Sequence, residues 1–474
     1  MSKRYEDEVV EPLSVKDQKA YSPSNTVHSH IALKDKETKD RRFWDETLET
    51  LPRKELDKFQ EKLLKKQLEL AYSKSEYYKR SFDAVGVTST DFNTLSDLSK
   101  FPFTNKQIQR DCQLKKPLLG TLATVDEEDV VFVSASSGST GVPTLSPFTK
   151  NDFDNFQDVE SRLFWSAGMR PKDRYVHALN FSLFVGGPDV IGAQNLGALC
   201  IWAGTLPSER LLFILKEFQP TVIWTTPSYA WYLGDTAKKQ GIDPAKDLAI
   251  KTIIVAGEAG GSILATRKAI EELWDADVYD FFGLSDIFGA CAGMCSEKDG
   301  LHIAEDNILV EVIDPDTLEP VADGEQGELV FTTLKKEARP LIRFRTNDIG
   351  FVRREKCACG RTHARINVTG RRDDLLIISG VNVFPSDIEY VVRNVSDLSG
   401  EYRITAYTEN FSTKFNVEVE RAHGSSVEKE KLAGLVSGNI KTRVGVKPAE
   451  VIVLEHGELP RATHKAKRLI DNRQ

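Results

Sequence analysis

Between residues 128 and 283 short apolar runs alternate with amphipathic stretches, and that alternation restricts the chain to few folds. The runs Val130–Val133, Arg174–Ala178, Ala198–Ala203, Thr221–Thr225, Lys251–Ala256 and Val278–Phe282 predict strands. The stretches Asp152–Ala167, Ser208–Phe218, Tyr229–Lys239 and Ile263–Trp274 predict helices. Strands and helices in alternation imply an α/β fold, a largely parallel sheet with helices on both faces. Such sheets bind ligands beyond the carboxyl ends of their strands. Four polar or glycine-rich segments stand at those predicted ends: the loop after Val133, Thr226-Pro227-Ser228, Gly257-Glu258 and Gly283-Leu284-Ser285-Asp286.

The first of these lies in VFVSASSGSTGVP at 131–143. Ser136, Ser137, Ser139 and Thr140 present hydroxyls, and Gly138 and Gly141 let the backbone turn tightly against a ligand. Successive N–H groups in such a turn form a concavity for anions. No Gly-Lys-Ser/Thr follows the glycines, so this is not a Walker loop. A cradle for nucleotide phosphates is one reading; a flexible surface loop is the other.

At 474 residues the chain exceeds the size of one core, so at least two domains are expected. A net charge of −8 does not point to nucleic acid or a membrane surface as the main partner. No run of eighteen apolar residues predicts a transmembrane helix. The start, MSKRYEDEVVEP, is charged and does not read as a secretory signal. Six cysteines in this length suit a reduced, cytoplasmic protein better than a disulfide scaffold. Residues 1–42 read as a polar arm. Leu56, Phe59, Leu63, Leu70 and Ala71 then mark one face of a helix.

From 308 to 370 short strands such as Ile308–Ile313, Gly327–Thr332 and Gly350–Arg353, with turns at Asp314-Pro315-Asp316 and Asp323-Gly324, predict an antiparallel subdomain. A smaller α+β unit follows Gly370. Its strands are near Leu375–Ile378, Tyr402–Glu409 and Phe415–Glu420, its helix near Val427–Thr442, and its last strand at Glu450–Glu455. The expected organisation is therefore an arm (1–42), a large domain (43–370) and a small C-terminal domain (371–474). Cys357 and Cys359, one residue apart, point to a metal. With Cys295 and His302 they make a tetrahedral Zn²⁺ set, closed and therefore structural; Cys291 and His363 compete as ligands.

Five motifs in order resemble the adenylate-forming enzymes, which include acyl-CoA synthetases, luciferases and peptide-synthetase adenylation domains. They are SSGSTGVP at 136–143, FFGLSD at 281–286, IRFRTND at 342–348, GRRDD at 370–374 and PRATHKAKR at 460–468. Further stretches are similar to phenylacetate-CoA ligases and related aryl-CoA ligases: LETLPRKELDKFQ near the N-terminus, GLHIAED at 300–306, CACGRTHARI at 357–366 and ISGVNVFPSDIE at 378–389. Members of that subfamily carry zinc at the corresponding positions.

The resemblance implies a two-step reaction. A carboxylate attacks the α-phosphate of ATP to give an acyl-adenylate and pyrophosphate, and the thiol of CoA then takes the acyl group. It implies that Ser136, Ser137, Gly138, Ser139, Thr140 and Gly141 cradle the β- and γ-phosphates. Val142 stands where the family has lysine. Asp286 stands where the family has a Mg²⁺-binding glutamate. Asp348 would hold the ribose hydroxyls, and Arg371 the ribose or phosphate. Phe282 would stack on adenine, with Gly257, Glu258, Ala259, Asp280, Phe281, Gly283, Leu284 and Ser285 around the nucleotide. Asp373 would be the hinge about which a mobile C-terminal domain swings. Lys465 would stabilise charge during adenylation, with His464 where the family has glycine.

Phe181, Phe184, Gly186, Gly187, Pro227 and Tyr229 would line a pocket for an aromatic acid, although the same residues suit an ordinary core. Phe181-Ser182 replaces the tyrosine-glycine pair of phenylacetate ligases. ATP, Mg²⁺, CoA and structural Zn²⁺ are thus the implied cofactors and co-substrates, and a homodimer is an open expectation. An adenylating enzyme with a non-CoA acceptor, such as a coenzyme F390 synthetase-like adenylyltransferase, is the alternative. Ser379, where the subfamily has arginine, bears on the CoA step. A binding or scaffold protein on the same fold is the third reading; Lys465 and Asp348 have no physical purpose in it.

Overall fold

The computed structural model describes residues 41–136, 143–179, 181, 186–258, 260–378, 381–409, 412–461 and 468–473. Among these the strands form one eleven-stranded mixed sheet, two hairpins and a four-stranded sheet. Five strands are mutually parallel, in the order Leu199–Trp202, Arg174–His177, Val222–Thr225, Thr252–Ala256 and Asp277–Leu284. They match the sequence expectation within two residues. The sheet then continues antiparallel through Gly289–Gly293, Leu301–Ile303, Arg365–Arg371, Phe344–Arg353, Gly327–Thr333 and Ile308–Ile313. The antiparallel strands expected from 308 onward are thus present and joined edge to edge to the parallel ones.

Alternation along each strand divides the apolar side chains between two cores, because successive side chains point to opposite faces. Tyr175, Trp224 and Phe281 pack with Phe164 on one face. Val176, Ile223, Ile253 and Val278 pack with Leu211, Leu233 and Trp274 on the other. The helices Lys150–Ser166, Ser208–Phe218, Pro227–Lys239 and Leu264–Trp274 agree with their predicted spans to within two residues.

One expectation fails. The strand begun at Val130 is not part of the parallel sheet. Val130–Ala135 pairs antiparallel with Leu145–Thr149 in a two-stranded ribbon of its own, closed by the Ser136 N–H bond to the Thr144 carbonyl at 3.0 Å. A parallel partner needs a crossover of a dozen residues or more, whereas the loop here returns the chain directly. The segment between Ser136 and Pro143 therefore joins two antiparallel paired strands.

The N-terminal helix Arg53–Lys74 buries a face slightly rotated from the predicted one. Leu56, Leu63 and Ala71 are buried as expected, but so are Gln60 and Gln67, whose amides donate to the Glu305 and Lys336 carbonyls. The C-terminal unit has a separate core, from Leu376 to Val453. Its sheet runs Glu450–Leu454, Ser412–Arg421, Leu398–Glu409, Leu469–Asn472. The strand at 450 is not the last: Leu469–Asn472 adds a further strand parallel to residues 404–407. No helix among the described residues is long and apolar enough to cross a membrane.

Candidate active site

The parallel register brings the predicted loops to one edge. Thr225 pairs with Val255 and Ala256 with Phe281, so Thr226 and Gly257 leave the sheet beside Phe282, which continues in its strand. Gly257 has φ +88°, a conformation that favours glycine. Glu258 reaches back to accept from the backbone N–H of Ser228 at 2.8 Å and from its hydroxyl. The two phenylalanines of 281–282 part company. Phe281 is core, against Phe164 and Trp224. Phe282 is half-buried beside Phe331 and leaves a ring surface for a base. Gly283 is required by packing, since a Cβ there would lie 1.7 Å from the Gly289 carbonyl oxygen. Asp280 is buried behind this edge, accepts from Ser262 Oγ at 2.5 Å, and has its carboxyl pushed up to about 7 by burial.

Asp348 and Arg371 are cross-strand partners, with Nη1 2.9 Å from Oδ1. Arg371 also takes Asp373 in a two-pronged pair at 2.9 Å on each arm. Burial works against the Arg371 charge, but Asp373 and Asp348 outweigh it and hold the guanidinium ionised. The ribose carboxylate, the phosphate-facing arginine and the hinge residue expected from sequence are therefore in direct contact.

Of the phosphate loop, Ser136 is described, and Ser137 to Val142 lie outside the described residues. Its stem is firmly held. Gln113 donates to the Pro143 carbonyl at 3.0 Å and accepts from the Leu145 N–H at 2.8 Å. Ser134 and Ser146 donate to the carbonyls of Ser285 and Asp286, which fixes the stem beside Asp286. Lys106 stands two turns before Gln113 on the helix Lys106–Lys115, hence on the same face, and its Nζ is 2.5 Å from Asp286 Oδ1.

Two more cations surround that carboxylate. Arg339 is 1% exposed, with Nε and Nη2 lacking hydrogen-bond partners among the described residues. Lys336 is fully buried, donates to Ser146 Oγ and the Ile287 carbonyl, lies over the Phe148 ring, and is pushed down to about 7 by burial. Asp286 thus stands beside Lys106 and feels the charges of Arg339 and Lys336, the last of which also faces the buried carboxylate of Asp152. A Mg²⁺ held by Asp286, as expected from the sequence, would share that carboxylate with Lys106. Sequence reasoning missed Lys106, Lys336 and Arg339, which no motif distinguishes from surface lysines and arginines.

The expected acid pocket is only partly assembled. Phe181 stacks on Trp202 and lies 5.1 Å from the His177 ring. Gly186 lies beside Asp189. Gly187 is described next to it, Pro227 packs at Gly260, and Phe184 and Ala259 lie outside the described residues. Tyr229 is not brought to Phe181. It packs in the core on the opposite face of the sheet, with its hydroxyl 3.1 Å from Ser208 Oγ, because the helix Pro227–Lys239 covers that face.

On the Phe181 side lies a buried polar cluster that the sequence did not reveal. Gln157, Glu160, Tyr175, His177 and Asp189 are each at most 2% exposed. Both side-chain heteroatoms of Gln157 and Oδ1 of Asp189 have no partner among the described residues, whereas the backbone of Ala290 reaches Glu160 and that of Gly186 reaches His177. Each group without a partner costs about 1–3 kcal/mol.

The four expected metal ligands come together. Cys295, His302, Cys357 and Cys359 are all buried, with ligand atoms within 4.8 Å of one another. Cys295 Sγ and Cys357 Sγ are 3.9 Å apart, and Cys359 Sγ and His302 Nε2 are 3.4 Å apart. Tetrahedral Zn–S bonds of about 2.3 Å place sulfurs about 3.8 Å apart, so the residues fit zinc. His302 Nδ1 donates to the His363 carbonyl at 3.0 Å, which leaves Nε2 for the metal. The rival ligands drop out: Cys291 packs in the main core, and His363 contributes its carbonyl to His302.

Lys465 and His464 lie outside the described residues, as does Ser379. Both flanks of the 462–467 segment are held by ion pairs. Arg461 pairs with buried Glu420 at 3.0 Å, and Arg468 with Glu401 at 3.1 Å.

A family model for AMP-binding enzymes matches residues 51–334, and one for the C-terminal domain of AMP-binding enzymes matches 380–473. The phenylacetate-coenzyme A ligase of Thermus thermophilus is 37% identical over 448 residues, covering 90% of this chain and 99% of that protein. The Escherichia coli enzyme of the same name is 37% identical over 434 residues, covering 90% and 97%. Among solved structures, a 2-hydroxyisobutyryl-CoA ligase in its postadenylation state superposes with a TM-score of 0.86 at 27% identity, over 91% of this chain and 93% of that one. The same enzyme in its thioesterification state gives 0.69 at 28% identity, over 92% and 93%. With its five motifs, the shared fold and near full-length similarity, the chain belongs to the adenylate-forming AMP-binding enzymes, in their phenylacetate-CoA ligase-like branch.

Proposed function

We propose that this protein is an ATP-dependent, AMP-forming ligase that activates an aromatic carboxylic acid as acyl-AMP and transfers the acyl group to CoA. The observation that carries it is the 37% identity to phenylacetate-CoA ligases across nearly the whole of both chains. In the first step a carboxylate oxygen bonds to the α-phosphorus and pyrophosphate leaves. Asp348 and Arg371 hold the ribose side, Phe282 offers its ring to adenine, and Lys465 meets the charge building at the carboxylate and α-phosphate. Lys106 and Arg339 attract the pyrophosphate half, a role that the uncharged loop SSGSTGVP leaves open. Mg²⁺, when bound, would supply counter-charge to the triphosphate, with Asp286 as its expected protein ligand. In the second step the thiol sulfur of CoA bonds to the acyl carbon, the thiol proton is lost and AMP leaves. Zinc, when bound, supplies a structural cross-link with no open position for chemistry.

The test is a screen of aromatic acids with ATP, with and without CoA. AMP and pyrophosphate formed together with an acyl-CoA, and only when CoA is present, supports the ligase. Adenylyl transfer to another acceptor with no thioester supports the F390 synthetase-like alternative. Pyrophosphate exchange that survives Lys465→Ala would remove that lysine from the mechanism.

A further inference from the structure

We propose that the buried Lys336 is a positioning residue for the pyrophosphate side of the ATP site, where it holds the turn at Asp286 against the strand Leu145–Thr149. The inference rests on the ligase reading above.

The Lys336 ammonium sits where three pieces of chain meet. Its Nζ donates to Ser146 Oγ at 2.8 Å and to the Ile287 carbonyl at 2.5 Å, and lies 3.7 Å from the centre of the Phe148 ring. An ammonium can only donate, so the Ser146 hydroxyl accepts from it and is left with one proton to give. That proton goes to the Asp286 carbonyl, with the oxygens 3.3 Å apart. Lys336 thus grips the chain on both sides of the Asp286 side chain, through Ser146 before it and through Ile287 after it. The Asp286 carboxylate then meets Lys106 Nζ at 2.5 Å. Lys336 is 0% exposed, so it acts through these neighbours and not by touching ATP.

The lysine is aimed by its own backbone. The Lys336 carbonyl accepts from Gln67, and the next two N–H groups, of Glu337 and Ala338, donate to the Asp152 carboxylate at 2.5 and 2.8 Å. Asp152 also accepts from the Thr149 N–H at 3.1 Å, at the end of the same strand whose start, Leu145, is held by Gln113. The strand is therefore fixed at both ends, and Lys336 fixes its middle to the Asp286 turn.

Fold stability alone gives a poor reason for a lysine here. An ammonium taken out of water costs more than an apolar side chain of its length. Replacing a buried ion pair by well-packed apolar residues is often neutral or stabilising. The Lys336 charge is opposed by burial and by Arg339 and favoured by Asp152 and Asp286. What an apolar residue cannot supply is the pair of directed bonds to Ser146 and Ile287, and those bonds set where Asp286 stands.

The experiment titrates ATP and AMP calorimetrically into the full chain, the variants Lys336→Met and Ser146→Ala, and the double variant. ATP affinity is expected to fall roughly tenfold in Lys336→Met, the loss of a charge-assisted hydrogen bond, and severalfold in Ser146→Ala. AMP affinity holds in both, because AMP lacks the pyrophosphate half. The double variant binds ATP within about twofold of Lys336→Met, since both changes cut the same chain of bonds. Losses that multiply in the double variant, or equal losses for ATP and AMP, overturn the inference and leave the ligase reading standing. A lower melting temperature with ATP affinity unchanged does the same and marks a purely structural lysine. If Lys336→Met does not fold, Ser146→Ala decides: unchanged ATP affinity overturns the inference, and a selective loss of ATP over AMP supports it. Failure of the parent protein to bind ATP overturns the ligase reading and this inference with it.

Discussion

At the residue scale the deciding feature is the pairing of Asp286 with Lys106. A family motif leads to Asp286 as a metal ligand, and only the packing of the helix Lys106–Lys115 against the loop stem shows what stands beside it. Lys106→Met is expected to raise the KM for ATP about tenfold or more, the loss of a charge-assisted contact. AMP affinity should hold, because AMP lacks the pyrophosphate half; calorimetric titration of ATP and AMP against both proteins checks the split. Asp280 gives a second prediction. Its folded carboxyl lies near 7 against an ordinary 3.8, so the protonated form is favoured on folding. The associated stability is full below the ordinary value and is lost as pH rises through about 7. Asp280→Asn should therefore show a smaller fall in melting temperature than the parent over that window. An equal fall in both proteins would refute the assignment.

At the element scale two devices hold segments that carry function. The zinc set joins Cys295, which follows the strand Gly289–Gly293, to His302 on its neighbour and to the turn at Cys357–Cys359 before Arg365–Arg371. Arg361 in that turn also holds Glu49, so a metal bound there would secure the start of the described chain. One zinc per chain is expected by metal analysis, and Cys357→Ser should remove it and lower stability by about 2 kcal/mol or more, read by thermal melting. The second device is the pair of salt bridges flanking 462–467. Arg461→Ala takes the guanidinium from the fully buried Glu420, which keeps only the Leu459 backbone N–H and the neighbouring His456 ring among the partners described. A buried charge stripped of its partner costs about 3–5 kcal/mol, so the segment loses its anchor. Pyrophosphate exchange should fall more steeply than thioester formation from supplied acyl-AMP, because Lys465 serves the first step.

At the scale of the whole molecule the two units are docked. The Arg393 guanidinium lies 4.6 Å from the centre of the Trp231 ring, Ser386 Oγ donates to the Thr369 carbonyl at 2.5 Å, and a Cβ on Gly370 would lie 2.7 Å from the Phe384 ring. The higher TM-score against the postadenylation state than against the thioesterification state of one and the same relative places this docking nearer the former. If the C-terminal unit swings about Asp373 for the second step, the Arg393–Trp231 contact must break. Addition of CoA to the acyl-adenylate complex should then change tryptophan fluorescence in the parent and much less in Trp231→Phe; the same change in both would argue against that motion.

The sequence by itself determined the periodic elements and the linear motifs. Strand and helix spans from 174 to 283 were legible because burial imposes period 2 on strands and 3.6 on helices. Asp348, Arg371 and Asp373 were marked by the motifs IRFRTND and GRRDD, and the four candidate zinc ligands by residue type, because few residue types bind zinc. Strands such as Gly289–Gly293 and Leu469–Asn472 were not legible: one is made of small residues and the other is short and half-polar, so neither shows a hydrophobic period. Only the tertiary structure decided that Val130–Ala135 forms a hairpin outside the main sheet and that Tyr229 turns from Phe181. It alone brought Lys106 to Asp286 across 180 positions and set Glu160 against Asp189. Charge and hydrogen bonding act through space over a few ångströms, and a linear sequence records no distance between residues that meet only when the chain has folded.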